Sequence, residues 1–321
     1  MGASAELVHG STMAAQADPW RFTPHPEVWV LVGGLALLYW YAITRIGPTA
    51  TRPDEPVVTA SQVRWFVAGL VLLWVASDWP VHDIAEGYLY SVHMVQHLLL
   101  SLVIPPMVLL ATPTWLARMV VGSGVPYRVL RFLTRPVTAT LIFNAVVAAT
   151  HIPGVVNASA SSAPLHYLVH VVVVAAALIM WTPVAGPLPE LRFTLPVQMI
   201  FLFMQSIIPT VPAGWLTFAE GVVYKAYDVP TRLAGMSVAH DQQLAGLVMK
   251  TVGGFYLWFV IAMLFIRFAT KQQEDDRAGG MPLDRRAPVA TAAGTLTWEE
   301  VERQLKTAPP APTDPVDRPT S

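Results

Sequence analysis

The sequence predicts an all-α membrane protein: a bundle of about seven transmembrane helices, N-terminus outside and C-terminus in the cytoplasm. Composition is the first reason. Of 321 residues, 54% are hydrophobic and 13% charged, against about 25% charged in an ordinary soluble domain. The second reason is where charge is missing. It is absent from long blocks, near the roughly 20 apolar residues a helix needs to cross a hydrocarbon core. The third is the placing of Lys and Arg, which favour alternate connections between those blocks.

Residues 1–26 read as an extracytoplasmic tail. Met1 to Asp18 are small and polar, with neither the basic start nor the apolar core of a cleavable signal peptide. The transmembrane domain takes residues 27–270, with spans at Val28–Ile46, Val63–Ser77, Tyr88–Leu110, Val137–Ile152, Leu165–Pro183, Pro196–Pro212 and Leu244–Phe268. The second and fourth are short. Gln205, Ser206 and Pro209 mark the sixth as kinked and turned to the bundle interior. Residues 271–321 are rich in Pro, Ala, Asp and Arg and read as mostly disordered. One stretch of this tail differs. Thr297-Trp298-Glu299-Glu300 forms a capping box, Leu296 and Val301 sit as a hydrophobic staple, and Trp298, Val301 and Leu305 share one stripe. A short helix over 297–306 follows, either a plain surface helix or a docking element for a cytoplasmic partner.

The connections set the sides. Arg45, Arg52 and Arg64 follow the first span; Arg118, Arg128, Arg131 and Arg135 follow the third. Arg192 follows the fifth, and Arg267, Lys271 and Arg277 close the seventh. The loops after spans two and four hold no Lys or Arg, and the loop after span six sets Lys225 and Arg232 against Glu220, Asp228 and Asp241. Positive charge stays inside.

This topology collects all nine histidines at the outer side. His9 and His25 lie in the tail and His82 in the loop after span two, where they read as solvated residues. His93 and His97 open span three, His151 ends span four, His166 and His170 open span five, and His240 immediately precedes span seven. Two pairs are four residues apart, which puts both rings on one helical face. His97 comes roughly 13 Å below Tyr88 and His170 about 7 Å below Leu165, so two helices can present four imidazoles to one cavity. Each histidine also has a plain reading as an interhelical hydrogen-bonder.

Asp78, Asp83, Glu86 and Asp241 accompany the histidines, either as ordinary interfacial residues or as groups that orient or join a ligand set. Lys250 either snorkels outward or pairs with Asp241 or another buried acid. Met94, with Met204, Met236 and Met249, offers soft sulfur to Cu(I) or simply packs. Cysteine is absent, which excludes disulfides, thiolate zinc sites and iron–sulfur clusters. A net charge of −1 gives no electrostatic case for nucleic acid. No nucleophile–base arrangement or phosphate loop points to an enzyme.

Seven spans, the His93-Met94-Val95-Gln96-His97 block, the His166 and His170 pair, and His240-Asp241-Gln242-Gln243-Leu244-Ala245-Gly246 together resemble a family. It is the multi-spanning bacterial cytochrome c oxidase assembly factors of caa-type oxidases, CtaG, distinct from the single-span, cysteine-bearing copper protein of the same name. The likeness covers roughly residues 25–270. It implies a multi-pass protein of the bacterial plasma membrane that works with cytochrome c oxidase subunits and handles copper at the outer face. It also implies His93, His97, His166, His170, His240 and Asp241 as the functional residues, to which His151 and Met94 are weaker additions from position alone. Two other readings stand beside it: a b-type haem electron carrier, since paired histidines from two helices suit bis-His ligation, and a metal-free assembly scaffold.

Overall fold

The computed structural model describes residues 20–231 and 233–279, with residues 302, 303 and 306. Among these residues there is no strand. The chain divides into two units, 1–268 and 269–321. In the first, the helices run α1 Pro26–Ala50, α2 Ala60–Ser77, α3 Val81–Gly87, α4 Tyr90–Ala111, α5 Thr114–Val121, α6 Val125–Leu133, α7 Pro136–Thr150, α8 Pro153–Ala160, α9 Ala163–Ala185 and α10 Leu195–Thr217. Then comes α11, Val238–Gly279, which continues beyond Lys271.

Six of these helices are long and apolar enough to cross a membrane. The fourth expected span is the exception. α7 has 15 residues, and it meets α6 at a 74° bend across the Thr134–Arg135 junction. Large apolar side chains cover the outward surfaces of α1 and α11, among them Val30, Leu37, Leu38, Phe255 and Phe259. Exposed apolar surface on this scale is stable only in contact with lipid or another apolar partner. The chain is a multi-pass membrane protein.

Two buried clusters hold the bundle. Leu102, Phe143, Met180, Trp181, Leu202 and Leu257 join α4, α7, α9, α10 and α11. Tyr90, Met94, Val156, Leu216, Tyr224, Tyr227 and Met249 form a second one, nearer the start of α4.

Proline shapes the helices that carry the histidines. Pro105 has no N–H for the carbonyl of Ser101, and the turn just before it, Leu99–Val103, widens to a π-helical turn. The freed Ser101 carbonyl accepts from Trp181 Nε1 at 3.0 Å, and Ser101 Oγ donates to the His97 carbonyl at 2.6 Å. Pro209 likewise breaks α10 after Ile207. Lys250 reaches this break, donating to Thr210 Oγ1 at 2.6 Å and to the Ser206 carbonyl at 3.4 Å. Among the described residues it pairs with no acid, so the expected pairing with Asp241 is not found.

α11 begins six positions earlier than its apolar block, so His240 and Asp241 fall in its first turn rather than before it. The expected capping box at 297–300, with Leu296, Trp298, Val301 and Leu305, lies outside the described residues. Glu302 and Lys306 pair at 2.8 Å with helical spacing.

Gly246 lets α11 pack directly on the second half of α10. A methyl there would stand 2.6 Å from the Ala213 carbonyl oxygen and 2.8 Å from the Thr217 nitrogen. Gly246→Ala should therefore lower the thermal midpoint of the detergent-purified protein, by about 1–3 kcal/mol of overpacking. An unchanged midpoint would contradict this packing.

Candidate metal centre

The start of α4 is capped from another helix. Leu89 offers no side-chain cap. Instead the buried carboxylate of Asp241 accepts from Tyr90 N at 2.7 Å, from Ser91 N at 3.1 Å and from Ser91 Oγ. A negative charge at a helix N-terminus also meets the positive end of the helix dipole. The residues after Asp241 extend the seam. Gln242 Oε1 accepts from Val223 N at 2.9 Å and its Nε2 donates to the Tyr224 carbonyl at 3.0 Å, while Gln243 Nε2 donates to the Ala219 carbonyl at 3.0 Å.

So held, α4 presents His93 and His97 to α9, which presents His166 and His170. Ring centroids lie 4.4 Å apart for His93 and His97, 5.0 Å for His97 and His170, and 6.0 Å for His93 and His170. His166 stands 4.3 Å from His170 and 5.5 Å from His93. One ligand nitrogen from each of His93, His97 and His170 lies within 4.8 Å of the others. His93 Nδ1, His97 Nε2 and His170 Nε2 are buried without a hydrogen-bond partner. Such groups in a low-dielectric interior cost about 1–3 kcal/mol each, a cost that a bound cation or water relieves. The donor set therefore fits a metal ion.

His166 turns the other way. Its Nδ1 lies 3.3 Å from Ser159 Oγ, and its Nε2 is 2.7 Å from Glu86 Oε1. The same carboxylate oxygen is 3.1 Å from His82 Nε2. Outside this pair, His25 Nε2 meets Asp83 at 2.8 Å and its Nδ1 meets Glu27 at 3.2 Å. Burial lowers the His25 pKa, but the Asp83 and Glu27 carboxylates outweigh it and hold the ring above the ordinary histidine value. At His82 burial wins and the pKa falls, against the pull of Glu86. Asp78 fastens α1 to α2, accepting from Trp29 Nε1 at 2.8 Å and Trp74 Nε1 at 2.6 Å. An apolar groove of about 540 Å³ between α1, α2 and α9 ends at His82 and His170.

A family model describing the cytochrome c oxidase caa3 assembly factors matches residues 37–271. The chain belongs to this family. No curated protein and no solved structure matches it.

In this assembly factor the residues expected from sequence separate into groups. His93, His97 and His170 converge, and His166 lies beside them but faces Glu86. His240 is exposed and joins none of these imidazole contacts; its backbone N–H bonds Ser237 Oγ at 3.2 Å. Asp241 supports α4 from behind its first turn. His151 ends α7 with Nδ1 against the Val147 carbonyl at 2.7 Å, its Nε2 buried and unpartnered. Met94 packs in the second core cluster. His25 and His82 are not the solvated loop residues the sequence suggests. α3 replaces the expected loop and buries His82 against Gln96, whose Nε2 is 3.3 Å from His82 Nδ1, and acids clamp His25. His9 lies outside the described residues. Glu86 is the residue the sequence undervalued. Its i,i+4 spacing from His82 was the available signal.

Asp241→Ala should cost about 1.5–3 kcal/mol, the range for hydrogen bonds to a charged group, and speed amide exchange at Tyr90 and Ser91. His240→Ala should change neither. Thermal unfolding with hydrogen exchange checks both, and equal effects from the two substitutions would contradict the division of roles.

Proposed function

We propose that this oxidase assembly factor binds copper as Cu(I) at the His93, His97 and His170 triad, at the outer membrane face, and passes it to a subunit of the oxidase. The observation that carries the reading is three imidazoles that each bring a ligand nitrogen within 4.8 Å of the others and each bury a ring nitrogen with no hydrogen-bond partner. Imidazole suits copper among the first-row metals. Charge favours the monovalent ion. The Born cost of an ion in a low-dielectric site rises with the square of its charge, and the triad brings no carboxylate to offset a second one. Transfer to the client is ligand exchange, with no catalytic turnover.

The outer placement rests on the positive-inside rule. The histidine end of the bundle is opposite the connections that carry Arg45, Arg52, Arg118, Arg128, Arg131, Arg135 and Arg192. Two of those connections meet through Arg118 and Glu190, 3.3 Å apart. The N-terminus is then extracytoplasmic and the C-terminus cytoplasmic, in a bacterial plasma membrane.

A cavity of about 20 Å³ bordered by His93, His97, His166 and Tyr227 has room for a water or an ion, while His170 lines the larger apolar groove. A metal-free scaffold would have to satisfy the unpartnered nitrogens with bound water.

Anaerobic loading with Cu(I), followed by desalting and metal analysis, tests the reading. The wild-type protein should retain one copper at the triad, with no Soret band, and the His97→Ala/His170→Ala double variant should lose it. Cells carrying that variant should lack mature caa-type oxidase activity. Full oxidase activity in those cells, or copper retention by the double variant, would contradict the proposal.

A further inference from the structure

We infer that the end of the bundle opposite the histidines holds one anionic phospholipid. Its phosphate sits on the arginines of α6 and its acyl chain runs between α7 and α10. The inference is independent of any metal at the triad.

Positive charge is concentrated on one short stretch. From Thr114 to Thr150 the sequence holds Arg118, Arg128, Arg131 and Arg135 and no acid. Arg118 pairs with Glu190 at 3.3 Å. Among the described residues Arg128, Arg131 and Arg135 form no ion pair, and all three are exposed. Arg128 and Arg131 stand three apart on α6 and are therefore neighbours on its surface. The Arg135 guanidinium lies over the Phe132 ring, 5.5 Å from its centroid, at the turn that opens α7. Exposed guanidinium groups with no carboxylate suit a phosphate, which they bind through paired N–H donors.

α6 itself has the build of a helix lying in a membrane surface. Tyr127 and Leu130 pack on the cluster of Ala117, Leu188 and Leu191. Val125, Val129 and Phe132 are exposed on the other side of the helix, with Arg128 on their flank. An apolar face flanked by arginine, on a helix set at 74° to the span it precedes, is the arrangement of an interfacial helix.

A second observation lies directly beyond Arg135. Pro136, Val137, Thr140 and Leu141 of α7, with Ile200 and Met204 of α10, line an apolar groove of about 280 Å³. The polar side chains behind it bond one another. Gln205 Nε2 donates to Thr140 Oγ1 at 2.8 Å, and Asn144 Nδ2 donates to Gln205 Oε1 at 2.7 Å. Val137 and Leu141 stay 70% and 65% exposed. An apolar groove of this kind, in a membrane-spanning bundle and next to unpaired arginines, suits an acyl chain joined to a phosphate.

Helix length favours a lipid over a second protein helix. The 15 residues of α7 reach about 22 Å, short of the roughly 30 Å hydrocarbon core. A short span thins the bilayer around it, which brings headgroup phosphates in to the arginines at its start. Each arginine near such headgroups favours a net negative lipid over a zwitterionic one.

Native mass spectrometry of the full-length, delipidated protein, titrated with phosphatidylglycerol or phosphatidylcholine, tests the site. The wild type should bind one phosphatidylglycerol at least about fivefold more tightly than phosphatidylcholine. Arg131→Gln/Arg135→Gln should lose that preference, and Ile200→Trp, which fills the groove, should weaken binding of both lipids. Both variants should keep the wild-type thermal midpoint. Glycerophosphoglycerol, the headgroup without chains, should not displace the lipid. Equal affinity of the wild type for the two lipids overturns the inference, as does an unchanged preference in the arginine variant. Unchanged binding in Ile200→Trp, or displacement by the free headgroup, removes the acyl-chain groove and overturns it as well. A dimer that Ile200→Trp disperses and phosphatidylglycerol does not would assign the groove to a second copy, and the lipid site would fall.

Discussion

The carboxylate of Asp241 holds the N-terminus of α4, and the placement of the histidines depends on that contact. A helix that begins inside a packed, apolar bundle leaves its first amide groups without water. α4 has no side chain of its own at Leu89 to satisfy them, and Asp241 reaches across from α11 to accept from two amides and a hydroxyl. The contact fixes where α4 starts and which way it faces. His93 and His97 lie in the first turns beyond it. Below them Pro105 and the π-helical turn at Leu99–Val103 give the helix a second fixed point, through Trp181 and the Ser101 carbonyl. The histidine-bearing part of α4 is thus pinned at both ends by bonds unrelated to the imidazoles.

That rigidity gives meaning to the unpartnered nitrogens. Among the described residues, His93, His97, His151, His166 and His170 each bury a ring nitrogen with no hydrogen-bond partner. His93 and His97 are the two that lie on the stretch of α4 pinned at both ends. Buried polar groups left unpaired in a native protein mark a strain reservoir, a functional site, or a place for a bound water or ion.

The spans were legible because lipid demands long apolar stretches, and the gathering of histidines followed from counting spans. The fourth span is the shortest: α7 runs unbroken over Pro136–Thr150, close to the expected Val137–Ile152, and meets α6 only through a sharp bend that lies before it. His240 and Asp241 show the other limit. Neighbours in sequence, they point about 100° apart once α11 starts at Val238, His240 exposed and Asp241 buried, and nothing in the run from His240 to Gln243 marks which face is buried. The same run was read as a ligand segment, yet Asp241, Gln242, Gln243 and Gly246 join α11 to its neighbours. Glu86 was signalled only by its i,i+4 spacing from His82; its other partner, His166, is far along the chain, and their meeting has no sequence signal.

X-ray absorption of the Cu(I)-loaded protein tests the central claim most directly, because it reads the atoms bound to copper. Three imidazole nitrogens near the ~2.0 Å typical of metal–imidazole bonds, with multiple scattering from the rings, is the predicted result. A sulfur scatterer near ~2.3 Å would put a methionine in place of an imidazole and contradict the triad.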